Sequence, residues 1–268
     1  MNRNLYTKEL KRNRMNLWIW SAIVIGLTVL VMSIFPYMRN VGTEMANMMK
    51  SMPEGITKAM GLDAQTWNSI LGLYNTYYGI YIIVLIGIFA SSTGATIISK
   101  EERDGTAEFL LTKPISRKNI FNTKILTLFT LTIIVYAIQT ITAFIGIIIF
   151  GESDINWSTF ITMHINGLIL IVFFTCLGVI LSMFIQPKKN FMGMVVGIVF
   201  GSYFLNAIAK AADTVSWIGY ISPFHYLDFT VSDPNYSVNY LTVGIMLLTS
   251  ILLLLVSFKV YEKKDISS

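Results

Sequence analysis

Charge is scarce in this 268-residue chain: only 13% of its residues are Asp, Glu, Lys or Arg, while 54% are hydrophobic and the mean hydropathy is +0.63. Soluble domains carry roughly a quarter charged residues, so the polar groups here cannot cover a globular surface. The chain belongs in a membrane. It has a single cysteine, Cys176, inside an apolar run, which excludes an internal disulfide framework and reads as a small core residue. It also lacks any G-x-x-x-x-G-K-[ST] phosphate loop, and contains no Gly-Lys pair at all. H-E-x-x-H, C-x-x-C and G-x-S-x-G are absent too, so the sequence forms of zinc-dependent and nucleophilic hydrolysis are missing. Its two histidines, His164 and His225, lack the Cys or carboxylate spacing that binds metal, and structural roles are expected of both.

Six stretches are long and apolar enough to cross a bilayer: 17–36, 75–99, 124–150, 159–185, 191–209 and 240–258. A span needs about 20 apolar residues, and unpaired backbone groups are too costly in lipid for these to be anything but helices. The expected fold class is therefore all-α, a polytopic protein with six transmembrane helices in one domain. The first stretch is longer than the apolar core of a signal peptide and no small-residue cleavage site follows it, so it is expected to remain as a span.

Basic residues are sorted along the chain. Before span 1, between spans 2 and 3, between 4 and 5, and after 6 lie 16 of the 20 Lys and Arg with 7 acids, a net +9. The opposite side holds Arg39, Lys50, Lys58 and Lys210 with 8 acids, a net −4. By the positive-inside rule both termini are cytoplasmic. The overall charge of +5 is thus an orientation signal that also suits anionic headgroups. Nucleic acid is not an expected partner, because no basic patch interleaved with aromatics sits on a soluble domain.

The spans hold no Asp, Glu or Arg in their interiors, and Lys124 sits at the inner end of span 3. An ion-coupled carrier binds its ion at membrane depth with an ionisable group. A secondary transporter is therefore disfavoured. The polar positions that do lie within spans are Tyr77, Tyr78, Gln139 and Asn166, which either hold helices together or contact a substrate. Span 5 carries Gly193, Gly197 and Gly201 at spacing four, and span 2 carries Gly87, Ser91 and Ala95 likewise. Each set makes one small face for close helix packing, within the subunit or across a dimer.

Residues 5–16 read as a short basic helix in the inner interface. The outer segment 37–74 carries Met45, Met48, Met49, Met52 and Met60, the packing face of a small helix or a soft apolar ligand surface. Residues 98–124, ISKEERDGTAEFLLTKPISRKNIFNTK, collect ten charged residues. Gly105-Thr106 can turn the chain and cap a helix over 107–112, Pro114 ends it, and Ser116 can cap the run into span 3. Such a helix exposes Phe109, Leu110 and Leu111 beside charge, which a solvated linker does not need.

The string Glu101-Glu102-x-x-Gly105-Thr106-x-Glu108-x-Leu110-Leu111-x-x-Pro114-Ile115-Ser116-Arg117, followed by Lys124, resembles the cytoplasmic loop of ABC-2 type permeases, the membrane subunits of bacterial ATP-driven exporters. Ile221-Ser222-Pro223-Phe224-His225-Tyr226 is similar to that family's Ser-Pro-Phe stretch before the last span. The resemblance implies a type V exporter-like (ABC-2) fold, a coupling helix at 105–112 that docks on a separate ATPase, and an amphipathic connecting helix at 5–16. It implies two ATPase copies that bind the ATP and Mg, with no cofactor in this chain, and a second permease copy or a similar permease packed around spans 2 and 5. Glu101, Glu102, Gly105, Thr106, Glu108, Phe109, Leu110, Leu111, Pro114 and Arg117 are the expected ATPase-coupling residues. The expected setting is the bacterial cell membrane and the expected cargo an amphipathic or hydrophobic compound moved outward. A non-transporting sensor partner and a polytopic membrane enzyme remain as alternatives.

Overall fold

A computed structural model describes residues 2–40, 44, 47–48, 51–53, 55–57, 69–106, 115–151, 155–184, 191–227, 229 and 236–263. Its six long helices are α1 (Arg3–Asn40), α2 (Ile70–Arg103), α3 (Arg117–Phe150), α4 (Trp157–Phe184), α5 (Met192–Ala211) and α6 (Tyr240–Lys263). All six are long and apolar enough to cross a membrane, and no strand occurs among the described residues. The six expected spans are all present, each helix running past at least one expected end, because helix geometry continues into the polar boundary where hydropathy falls.

Two differences from the sequence reading have physical reasons. The segment expected as a separate helix at 5–16 is continuous with span 1 in α1: it has no Pro or Gly to break it, and Pro36 near the other end sits inside the helix. In α2 a π turn, Tyr78–Ile82, separates Ile70–Tyr77 from Ile83–Arg103. A π turn widens the helix by one residue, and here it lies where Tyr74 and Tyr78 both point into the protein and are fully buried.

The architecture is built around α2. Its apolar window is 89% buried, against 22% for α5 and 17% for α6. Small residues make that centrality possible. A Cβ added at Gly178 of α4 would lie 2.3 Å from the Ser91 carbonyl oxygen, and one at Gly94 would lie 3.0 Å from that of Thr175. With only hydrogen at those positions the two backbones touch, and the Ser91 hydroxyl donates to the Phe174 carbonyl at 2.8 Å. Lipid tails offer no hydrophobic drive between helices, so such close packing is the main cohesive force available. Gly87 would meet Phe174 and Val199. Gly87 and Ser91, expected at a dimer or pathway face, are therefore buried inside the subunit against α4 and α5.

On one side α1 lies along α3, where Met32 fills the notch left by Gly146. Trp20 of α1 packs on Phe89 of α2, with ring centroids 5.7 Å apart. The α6 helix packs mainly along α4 and touches α3 near its cytoplasmic end through Phe258 and Tyr261 against Phe121. Between α5 and α6 two 3-10 turns, Asp213–Ile221 and Pro223–Tyr226, fold back over the outer end. Ser222 donates to the Ser202 carbonyl at 2.6 Å and accepts from the Phe224 amide, while Phe224 inserts between Phe174 and Tyr203. The Ser-Pro-Phe stretch is thus a staple between spans 4 and 5.

Candidate functional site

The charged loop begins at a helix end whose geometry the sequence dictates. After Arg103 the chain turns at Gly105, whose φ of 65° is the one positive φ among the described residues. The Thr106 amide donates to the Glu101 carbonyl at 2.8 Å and the Gly105 amide to that of Glu102 at 3.4 Å. These are the two bonds of a Schellman cap, which needs a left-handed residue that glycine adopts without steric cost. The turn expected at Gly105-Thr106 is there, and it ends α2. Arg103, Asp104, Gly105 and Thr106 are exposed around it.

Beneath the turn lies an ion-pair cluster shared by three helices. Lys124 of α3, 1% exposed, ion-pairs with Glu101 and donates to the Ile97 carbonyl at 2.5 Å. Arg12 of α1 bonds Asp104 and sits 3.5 Å from the other Glu101 oxygen. Glu9, one helical turn before Arg12, is 1% exposed, and neither carboxylate oxygen has a hydrogen-bond partner among the described residues. Burial raises its pKa above the usual glutamate value, the nearby Lys124 charge opposing that shift. Lys100 is pushed the other way: burial, then the Arg12 charge, lowers it.

These contacts also place the start of α1. The Asn2 amide donates to the Thr123 hydroxyl at 3.1 Å, beside Lys124, while Arg12 reaches Glu101 and Asp104. Ten residues of helix span about 15 Å, yet both ends of this segment meet groups at the level of the Lys124 to Glu101 pair. Residues 2–12 therefore lie across the cytoplasmic ends of spans 2 and 3.

The second border of the loop is equally specified. Ser116 caps α3, accepting from the Asn119 amide at 3.3 Å, and Arg117 donates to the Glu262 carbonyl at 3.2 Å, tying the loop exit to the end of α6. Of the expected coupling residues, Glu102, Gly105, Thr106 and Arg117 are on or near this surface, whereas Glu101 turns inward as a support for the turn. Glu108, Phe109, Leu110, Leu111 and Pro114, and the helix expected over 107–112, lie outside the described residues.

The expected substrate-contact residues divide. Gln139 is fully buried and donates to the Tyr74 hydroxyl at 2.5 Å; that hydroxyl is 3.1 Å from His164 Nε2. Tyr78 is also fully buried, its hydroxyl 2.7 Å from that of Tyr136, which donates to the His164 carbonyl at 2.5 Å. Phe160 accepts from His164 Nδ1 at 2.9 Å. A Cβ at Gly167 would fall 2.0 Å from the Tyr78 oxygen, so this glycine is the socket for the tyrosine. Tyr78 and Gln139 therefore join spans 2, 3 and 4 inside the subunit. Asn166 donates to the Tyr236 hydroxyl at 3.3 Å and lines a small outer pocket with His225, Tyr226 and Asn239. Tyr77 alone of the four stays near a surface, stacked on the exposed Tyr81 at 5.8 Å.

Among the described residues, nothing lies within 4 Å of a Cβ added at Gly193, Gly197 or Gly201. They lie with the exposed Phe204 and Ile208 on one unpartnered face of α5. Met48 and Met52 of the outer segment are exposed, at 60% and 43%, and the other methionines expected there lie outside the described residues. Glu9, Tyr74 and Tyr136 were not legible as site residues in the sequence. Glu9 carried the one available signal, an acid alone among the basic residues of its segment.

Six apolar helices, α2 the most buried of them, with a polar network in the outer half and an ion-locked charged turn at the basic end, define a multi-pass membrane protein. Residues 3–266 match the ABC-2 family transporter proteins, and the chain belongs to that family. No curated protein matches it.

Proposed function

We propose that the chain is the membrane subunit of an ATP-driven exporter in a bacterial cytoplasmic membrane, moving an amphipathic or hydrophobic compound outward with ATP and Mg bound on two copies of a separate ATPase. The observation that carries this reading is the rigid border of the 107–114 segment. The Schellman turn at Gly105 ends the most buried helix, and Lys124, Glu101 and Arg12 brace it from three spans. A push on that turn is delivered to α2, and from there to α4 and α5, which touch α2 directly. Energy enters mechanically, which suits spans without intramembrane acids, and differential docking in two states supplies the bias for alternating access. The open glycine face of α5 and the stacked Tyr77 and Tyr81 support a pathway formed with a second permease copy or a similar permease.

The enzyme reading loses ground on geometry. His164 is enclosed by Phe160, Tyr74 and Tyr136 and already hydrogen-bonded at both ring nitrogens, so it offers no open base. The sensor reading differs from export only in whether cargo crosses. The test is uptake of labelled amphipathic peptides and dyes into inside-out vesicles holding the chain with its ATPase. Accumulation that needs ATP and is abolished by Gly105→Pro or Glu108→Arg is expected. Purification from membranes without any ATPase, or unchanged uptake in both variants, would overturn the reading.

A further inference from the structure

The first four turns of α1 present two faces of opposite use. Leu5 and Glu9 are buried and Arg12 half-buried, all directed to α2 and α3. Arg3, Lys8, Lys11 and Arg14 are exposed, and at 100° per residue they fall within one arc of about 140° on the opposite side. Along that same arc follow Met15 and Trp18, 70% and 60% exposed, with the exposed Ile19 just beyond its edge. Four cations are thus continuous with a lipid-facing apolar stripe, and a tryptophan marks the junction. Because the inner face holds residues 2–12 across the ends of spans 2 and 3, the cations are kept at the level where hydrocarbon gives way to headgroups.

We propose that this outer face of α1 is a docking surface for anionic phospholipid headgroups of the inner leaflet. Charge complementarity selects the occupant: the face has four cations and no exposed acid, since Glu9, the single acid of the segment, is turned inward. Continuity with Trp18 selects a membrane over a soluble partner, because an interfacial aromatic beside long basic side chains is the arrangement that seats a helix at a bilayer boundary. Arg12, on the inner face, bonds Asp104 and faces Glu101, so a helix drawn onto anionic lipid pulls on the turn at Gly105. The lipid surface and the charged turn share one rigid element.

The experiment needs neither ATPase nor cargo, so its failure is separate from failure of the proposed export. Trp20, Trp67, Trp157 and Trp217 are changed to Phe, leaving Trp18 as the only tryptophan. The chain is placed in vesicles of phosphatidylcholine with a fixed fraction of brominated phosphatidylglycerol or brominated phosphatidylcholine. Stronger quenching of Trp18 by the brominated anionic lipid, weakened by salt, is expected. Arg14→Gln should lower that preference by up to about fivefold, whereas Lys259→Gln, the same charge change at the exposed cytoplasmic end of α6, leaves it intact. Lys8→Arg with Lys11→Arg preserves it. Equal quenching by the two lipids, or a preference that survives neutralising all four outer cations, would overturn the proposal, as would equal effects of the Lys259 and Arg14 changes.

Discussion

Lys124 is a full charge with 1% exposure, and its partners decide whether that is tolerable. Removing one member of a buried pair leaves the other desolvated without compensation, at a cost of about 3–5 kcal/mol, while replacing both with groups of similar shape is far milder. Lys124→Ala should therefore lower the thermal midpoint in detergent sharply, and Lys124→Met with Glu101→Gln should recover much of the loss. A double variant no better than the single one would refute this account of the cluster. Glu9 behaves in the opposite sense. Its folded pKa is raised above the ordinary value of 4.5 by burial, so the folded state holds the proton more tightly than the unfolded one. The destabilisation from ionising it is absent below about pH 4.5 and grows as pH rises through the raised folded value. Glu9→Gln should then raise the midpoint at neutral pH and flatten its decline on going up from pH 5, as melting curves across that range would reveal. A midpoint that falls at pH 7 would mean that the carboxylate has a partner it needs.

At the scale of helices, glycine position separates two kinds of face that sequence spacing treats alike. Spacing of four marks Gly87 and Ser91 on span 2 and Gly193, Gly197 and Gly201 on span 5 equally, and nothing in a single sequence tells which face is already occupied. The structure separates them: span 2 is packed inside the subunit, span 5 is open. Gly178→Ala, which brings a methyl group to 2.3 Å from the Ser91 carbonyl oxygen, should cost about 1–3 kcal/mol or more through forced separation of α2 and α4. Gly244→Ala on α6 lies off the proposed interface, meets nothing within 4 Å among the described residues, and should not lower the melting midpoint. Equal midpoints for the two variants would show that the contact between α2 and α4 is looser than described. The same contrast explains what was legible. Six spans, the turn at Gly105 and the Ser116 cap follow from hydropathy, φ preference and cap chemistry, which act over a few residues. The network of Tyr74, Tyr78, Tyr136, Gln139 and His164 joins three helices across 90 residues of chain, and only the fold brings those hydroxyls together.

For the whole molecule, the uneven burial of its spans is the remaining fact to account for. The α5 helix turns Phe204 and Ile208, 56% and 49% exposed, outward beside three glycines that no described residue approaches within 4 Å of an added Cβ. Side chains facing lipid need not be small, whereas a glycine row lets a second backbone come close. The proposed assembly around spans 2 and 5 gives that row its partner. A disulfide requires Cα atoms within about 7 Å, so cysteines on the row test the approach directly. In a Cys176→Ser background, Gly197→Cys or Gly201→Cys should yield a cross-linked dimer in oxidised membranes, visible without reductant on a denaturing gel. Leu248→Cys on α6, where the native side chain is 63% exposed, should remain monomeric under the same conditions. Cross-linking at position 248 with none at 197 or 201 would move the interface to α6 and leave the glycine row to lipid. Dimers at 197 when the chain is expressed alone would mean that two identical copies can build the pathway; dimers that form only with a co-expressed second permease would mean that the partner is a similar chain.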